Sequence, residues 1–377
     1  MAIADFSFPT AIHFGPGARL RVAEHLKAQG VARPLIVTDT GLAALAVLED
    51  FRATLSGLAV EVFAGVHGNP TRSQVEEGVG AFKAHRADAV IGFGGGASLD
   101  VAKAVALMSA HEGDVLEYAW DHPHARPITR ALPYLVALPT TSGTGSEVGR
   151  SAVISDAATH VKKIIFSPAL LAKAVFADPE LTLDLPAPVT AATGMDALTH
   201  NVESYLSPAF HPICDGIALE GARLAAGSLE RAVARPRDLA ARSGMMMASL
   251  MGAIAFQKDL GAVHSCAHAL GTVVDMHHGL ANGIMIDHVM RFNAEAAPER
   301  MAELARVCGA GTSAADFVAW LAALKARIGI PARLGERGVG GSHVARLVEV
   351  AVADTCHRTN PRPVSARDFE ALFRAAL

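Results

Sequence analysis

The chain is poor in the features that define several protein classes. It has four cysteines in 377 residues, Cys214, Cys266, Cys308 and Cys356, scattered and without a CxxC spacing. A disulfide framework or a cysteine zinc site is therefore not expected, and a reducing cytoplasm is the simplest setting. Aromatic residues make up 5%, too few for a platform on which single-stranded nucleic acid would stack. There is no basic excess: 33 Lys and Arg against 37 Asp and Glu leave a net charge of −4, which argues against a nucleic-acid footprint. The longest markedly apolar, uncharged run covers residues 243–257, short of the ~20 that a membrane-spanning helix needs. The opening MAIADFSFPT places no basic flank before an apolar run, so no secretory signal is expected.

Apolar residues, in contrast, are abundant. Hydrophobic residues are 51% and charged residues 19%, the balance of a well-buried globular chain. At roughly 150 residues per domain, the length points to about two domains. Short apolar runs at residues 35–38, 60–63, 89–93, 134–138 and 174–176 read as buried strands closed by Gly, Asp or Pro. Helical spacing over 74–85 and 99–110 separates some of them. That alternation predicts a parallel sheet with helices on both faces. From about Pro188 the strand signals fade and alanine- and leucine-rich helix formers take over. The expected division is an α/β domain over 1–185 and an all-α domain over 186–377.

Two segments suit phosphate. After the third strand come Gly94, Gly95 and Gly96, then a helix opening near Ser98. Glycines let backbone amides approach an anion, and the positive helix end points at the same spot. After the fourth strand, five hydroxyls and two glycines fill the seven positions from Thr140 to Ser146. Two such loops at strand carboxyl ends favour a dinucleotide over a single phosphate. Asp39 ends the first predicted strand. An acid there can accept from a ribose 2′-hydroxyl and would repel a 2′-phosphate, favouring NAD over NADP, although Asp-Thr-Gly is also ordinary turn chemistry.

The unusual count is histidine, at 17. Asp196 and His200 are four apart and share one helix face, as do His264 and His268; the pair His277–His278 follows. One carboxylate and three imidazoles suit a divalent transition metal such as Fe²⁺ or Zn²⁺, acting as a Lewis acid on a substrate oxygen. The spacing alone leaves open which three histidines bind.

The stretches GGGASLDVAK (94–103), LPTTSGTGSEV (138–148), DPELT (178–182), ATGMDALTHNVESYLS (192–207), GAVHSCAHALG (261–271), HHGLANGIMIDHVMRFN (277–293) and TNPRPVSARDFEALF (359–373) resemble the iron-containing (group III) alcohol dehydrogenase family, in order and over almost the whole chain. The resemblance implies a Rossmann-like N-terminal nucleotide domain and a C-terminal helical metal-binding domain, an architecture like that of dehydroquinate synthase. It places the metal ligands on Asp196, His200, His264 and His278, and a further active-site histidine on His268. Pyrophosphate contacts fall on Gly95, Gly96 and Ser98, the second loop on Thr140, Thr141 and Thr144, and a ribose contact on Lys162; Asp39 fits the NAD-preferring pattern. The family commonly has Pro before the last ligand, where His277 stands here; the following glycine keeps His278 as the ligand. Pocket walls by alignment are Ser151, Leu260 and Cys356, and Arg150 and Lys258 are two cations that would hold an acid-ended substrate if both faced the pocket.

The implied activity is metal-dependent, NAD(H)-linked hydride transfer on a small primary alcohol or aldehyde, with Fe²⁺ placed before Zn²⁺. Alternatives are a dehydrogenase of an acid-ended substrate (4-hydroxybutyrate or succinic semialdehyde, or a sulfonate or phosphonate aldehyde) and a maleylacetate reductase-like enzyme. A sugar-phosphate cyclase would need an array of cations, and the helical half offers Lys258 and Lys325 as its lysines. The expected partners are the small-molecule substrate and further copies of the chain, as a homodimer or larger, with neither nucleic acid nor membrane.

Overall fold

The computed structural model describes residue 8 and residues 10–156 and 161–377. These form two compact units. The first comprises Pro9–Thr141 and Gly145–Thr182; the second is built on Leu183–Leu377 and also takes Ser142–Thr144.

The first unit is built on a sheet of six strands. In chain order the described strands are β1 (Ala11–Phe14), β2 (Pro34–Asp39), β3 (Glu61–Val66), β4 (Ala89–Gly94), β5 (Tyr134–Pro139), β6 (Ser151–Ser155), β7 (Lys162–Phe166) and β8 (Ala174–Ala177), of which β6 and β7 form a separate two-stranded sheet. The sheet order is β1-β8-β5-β4-β2-β3, parallel throughout. Every residue of β4 and of β8 is buried, as expected of strands covered on both faces. One face carries a core that includes Ile36, Ile91, Phe93, Val136, Leu138 and Phe176, with the Phe51 and Phe93 rings stacked at 4.9 Å. The five expected strands are present. The sequence reading did not include β1, a four-residue edge strand, or the antiparallel pair β6–β7.

The connection leaving β2 runs to β3 on one side, and that leaving β4 runs to β5 on the other. The carboxyl ends of β2 and β4 therefore flank a topological switch point, the usual ligand crevice of an open α/β sheet.

The second unit is helical. Its principal helices are Ala187–Leu206, Pro212–Ala234, Leu239–Ala255, Ala262–Val274 and His278–Asn293, followed by Pro298–Val307, Ala314–Arg327, Val344–Ala353 and Ala366–Ala376. Pro212 and Pro298 open helices, where a missing N–H costs nothing. Leu198, Val202, Leu229, Met245, Cys266, Ile284, Phe317 and Phe369 belong to one buried cluster. The stretch Leu239–Lys258 is long and apolar enough to cross a membrane by composition, but Ala241, Met245, Ala248 and Ala255 lie in that core. Its buried Arg242 is satisfied by the carbonyls of Pro236 and Leu185 and by the Thr190 hydroxyl. It is a core helix of this unit.

Candidate active site

Three chain segments meet at the carboxyl ends of adjacent strands β2, β4 and β5. Asp39 caps the short helix Thr40–Ala43: its Oδ1 accepts from the Leu42 N–H at 2.9 Å. Its Oδ2 accepts from the Ser98 hydroxyl at 3.2 Å, which ties the end of β2 to the glycine turn after β4. Turn chemistry is thus part of the role of Asp39, and its second oxygen is held beside the crevice. Gly94 has φ +151°, and a Cβ there would lie 2.5 Å from Ser98 Oγ; only glycine fits that turn. Gly95 precedes the helix Gly96–Ala110, whose N-terminus has no side-chain cap. An uncapped helix start leaves N–H groups for an anion. A Cβ on Gly95 would touch the Thr141 side chain at 3.3 Å, and the Thr140 N–H bonds the Gly94 carbonyl at 3.0 Å. The two phosphate-type loops are therefore neighbours.

The buried Lys103 and the half-buried Asp100 on that helix brace the second loop, and the sequence reading did not single them out. Lys103 donates to Ser146 Oγ at 2.8 Å and to the Ser151 carbonyl at 2.7 Å. Asp100 accepts from Ser146 Oγ at 2.6 Å and from the Val153 N–H at 3.0 Å. Thr144 lies with Ser142 and Gly143 in the helical unit. Lys162 opens β7 opposite Ser155. Arg150 is half-buried just before β6, its guanidinium 5.9 Å from the Phe166 ring centre.

The metal cluster is wholly within the helical unit. Asp196 and His200 share the helix Ala187–Leu206, His264 is on Ala262–Val274, and His278 is the first residue of His278–Asn293. One donor atom from each lies within 4.8 Å of all the others. Asp196 Oδ1 is 3.8 Å from His200 Nε2, 3.8 Å from His264 Nε2 and 3.4 Å from His278 Nε2. Metal–ligand bonds of about 2.1 Å would put tetrahedral donors about 3.4 Å apart. The spacing and donor set therefore fit a divalent transition ion. Burial drives the His200 pKa down to about 4, leaving a neutral ring with a lone pair at neutral pH. His277, the neighbour in the histidine pair, is exposed and caps the following helix by accepting from the Leu280 N–H at 3.4 Å. His278 is the one that joins the cluster.

Supporting groups went unnoticed in the sequence. Glu203 Oε2 is 2.6 Å from His264 Nδ1. Burial opposes the charged form of His264, but this contact and the nearby carboxylates outweigh it and raise the pKa. A carboxylate on Nδ1 keeps the proton there and leaves Nε2 as the metal-facing lone pair. Glu203 also accepts from the Val263 N–H at 2.7 Å, and Asn360 Oδ1 from the Ala262 N–H at 3.2 Å. The first turn of the His264 helix is thus capped by residues far away in sequence. Asn282 Nδ2 donates to Asp196 Oδ1 at 2.7 Å and lies 3.3 Å from Nε2 of both His264 and His278. The signal for Glu203 was its spacing: positions 196, 200 and 203 fall on one helix face. Glu203→Gln should weaken metal binding by about 10–100-fold while the protein stays folded; a competition titration against a chelating dye checks it, and unchanged affinity would remove Glu203 from the metal's support.

His268 is one turn beyond His264. Its ring is nearly parallel to that of His278, with centroids 5.3 Å apart, and its Nδ1 is 2.8 Å from Asp354 Oδ2. Cys356 is half-buried, and its N–H donates to Asp354 at 2.9 Å. Burial pushes its thiol well above the usual range, so it is no nucleophile at neutral pH. Leu260 is half-buried, its carbonyl accepting from the Thr359 hydroxyl at 2.9 Å. Lys258 is buried, and its ammonium pairs with Asp215 at 2.5 Å. Asp215 also takes Arg300 at 2.8 Å. That lysine sits in an internal ion pair.

A parallel sheet with glycine and hydroxyl loops at its switch point, joined in sequence to a helical unit with an Asp-His₃ cluster, defines a nucleotide- and metal-using oxidoreductase. Family models agree along the length. Residues 9–179 match that of iron-containing alcohol dehydrogenases, and residues 190–377 match the C-terminal model of the Fe-containing alcohol dehydrogenase family. The chain belongs to the iron-containing alcohol dehydrogenase family. Among its relatives, it is 39% identical to a 4-hydroxybutyrate dehydrogenase of Cupriavidus necator, over 100% of both chains. It is 35% identical to an NAD-dependent methanol dehydrogenase of Bacillus methanolicus, again over 100% of both. A crystal structure of a 1,3-propanediol oxidoreductase superposes with a TM-score of 0.95 at 37% identity, covering 100% of each chain.

Proposed function

We propose that this protein is a metal-dependent, NAD(H)-linked alcohol dehydrogenase that interconverts a small primary alcohol and its aldehyde. The observation that carries the reading is the convergence of the Asp196, His200, His264 and His278 donor atoms within 4.8 Å. When bound, Fe²⁺ (or Zn²⁺) supplies Lewis acidity to the substrate oxygen, and NAD(H) supplies the hydride acceptor or donor at C4. The chain's own residues do the rest. Gly95, Gly96 and Ser98 hold the pyrophosphate at the helix start, with Thr140, Thr141 and Thr144 beside it, and Lys162 serves a ribose. Asp39 holds the adenosine ribose. His268 takes the alcohol proton during oxidation and returns it during reduction. Leu260 and Cys356 wall the substrate side of the helical unit, and Ser151 is a further substrate-contact candidate on the first unit. NAD dependence is supported by the methanol dehydrogenase relative. The four cysteines are all free, which suits a reducing cytoplasm, and the family suggests a homodimer or larger as the working form.

Asp39→Gly should improve the use of NADPH relative to NADH by at least about tenfold, because it removes a carboxylate that repels a 2′-phosphate. The ratio of kcat/KM for the two cofactors measures this, and an unchanged ratio would take Asp39 out of the ribose site.

A second reading, an acid-ended substrate, is favoured by two observations. Among the described residues, Arg150 makes no ion pair, and a relative acts on 4-hydroxybutyrate. NADH oxidation by the metal-loaded enzyme with butanal against succinic semialdehyde separates the two. Preference for the acid-ended member makes Arg150 its anchor; preference for butanal leaves a general short-chain alcohol dehydrogenase. NADH oxidation with neither these nor other short aldehydes would overturn the assignment.

A further inference from the structure

Two histidines one turn apart on the helix Ala262–Val274 each rest Nδ1 on a carboxylate: His264 on Glu203 and His268 on Asp354. The first pair serves the metal. The second lies outside the Asp196, His200, His264 and His278 cluster, and its carboxylate is built into place. Asp354 Oδ1 accepts from Ser265 Oγ at 2.7 Å and from the Cys356 N–H at 2.9 Å, leaving Oδ2 for His268 at 2.8 Å. Ser265 Oγ is itself fixed by the His357 N–H at 2.9 Å. Burial works against the charge on Asp354, yet His268, Ser265 and the Cys356 amide hold its carboxyl well below the usual range. With Oδ1 taken by Ser265 Oγ and the Cys356 N–H, the carboxylate presents Oδ2 to His268 as an acceptor. His268 in contrast keeps 28% of its side chain exposed. The helix aligns the histidine from one side, and the loop after Val344–Ala353 aligns the carboxylate from the other.

We propose that Asp354 is the positioning residue for His268: it fixes the Nδ1–H tautomer and the ring orientation, leaving Nε2 to receive the substrate's proton. This rests on the function proposed above. In oxidation the alcohol O–H bond breaks and its proton goes to His268 Nε2, while hydride leaves the carbon for NAD⁺. The imidazolium that forms is stabilised through Nδ1–H by the Asp354 carboxylate, which itself stays unprotonated. Reduction runs the same transfers backwards. Without the carboxylate, the ring is free to take the Nε2–H tautomer, which presents a hydrogen where a lone pair is needed.

The test uses full-length, zinc-loaded enzyme with ¹⁵N-labelled histidine. In the wild type, NMR should show His268 as the Nδ1–H tautomer. Asp354→Asn should move it to Nε2–H or a mixture, and lower kcat by about 10²–10⁴-fold. Metal content, thermal midpoint and KM for NADH should stay near wild type, which a merely structural role would not allow. Asp354→Glu, which keeps the charge, should recover part of the lost kcat. Wild-type kcat in Asp354→Asn, an unchanged tautomer, or loss of metal in step with loss of rate would each overturn the proposal. Should Asp354→Asn not fold, Ser265→Ala decides: a several-fold lower kcat at full metal content supports positioning, and an unchanged kcat and tautomer overturn it. Wild-type protein inactive toward all aldehydes would count against the proposed function instead, with the tautomer still read directly.

Discussion

His264→Ala should release the metal and lower turnover by about three orders of magnitude or more, leaving the fold intact. The ring supplies one of four donors within 4.8 Å of one another. Its far nitrogen also rests on a buried carboxylate, that of Glu203, at 2.6 Å. Removing it takes away a donor and leaves Glu203, 2% exposed, with its strongest partner gone. A buried acceptor that loses such a partner costs about 1–3 kcal/mol. The backbone N–H groups of residues 263 and 264 remain on Glu203, so the helix start keeps its cap. Metal per chain by elemental analysis, NADH oxidation and thermal unfolding check the three parts. Normal activity in a metal-free variant would remove His264 from the site.

Gly279→Ala should be nearly as damaging, by a different route. A Cβ at Gly279 would lie 2.3 Å from the Ala192 carbonyl oxygen and 2.8 Å from its carbon, with Asp196 Cβ at 3.2 Å. Backbone atoms cannot step aside as a flexible side chain can. The helix that starts with His278 must back away from the one that carries Asp196 and His200. A stability loss of about 3 kcal/mol is expected, at the upper end for overpacking, together with weakened metal binding. Gly216→Ala is the contrast: it lies in the helix Pro212–Ala234 with nothing within 4 Å of the added atom. That change should be neutral or stabilise by up to about 1 kcal/mol. Melting curves of both variants, with and without metal, separate the effects; equal midpoints would show that the two metal-site helices are not in tight contact at Gly279.

This glycine also explains why part of the site was legible. The short residue after His278 is a packing requirement, and it marks which of two adjacent histidines turns inward. The strands β2, β4, β5 and β8 were readable because strands buried on both faces are continuous apolar runs. The ligands were readable because Asp196 and His200 show the local spacing of one helix face. What escaped depends on distant partners. The edge strand β1 has four residues and pairs with β8, 163 positions later. Asp354 lies 86 residues from His268, and Asp215 lies 43 from Lys258. No periodicity announces such pairs. Lys258 was a plausible substrate anchor by position alone, and only the folded chain shows its charge already matched.

Titration of metal-stripped protein with Fe²⁺, and separately Zn²⁺, while following NADH oxidation with butanal or succinic semialdehyde, bears on metal, cofactor and reaction together. The Asp196–His200–His264–His278 site calls for activity that rises to about one equivalent of metal per chain and then levels off, with no rise in the His264→Ala variant. Full activity in the stripped protein, or a rise that ignores His264, would contradict it.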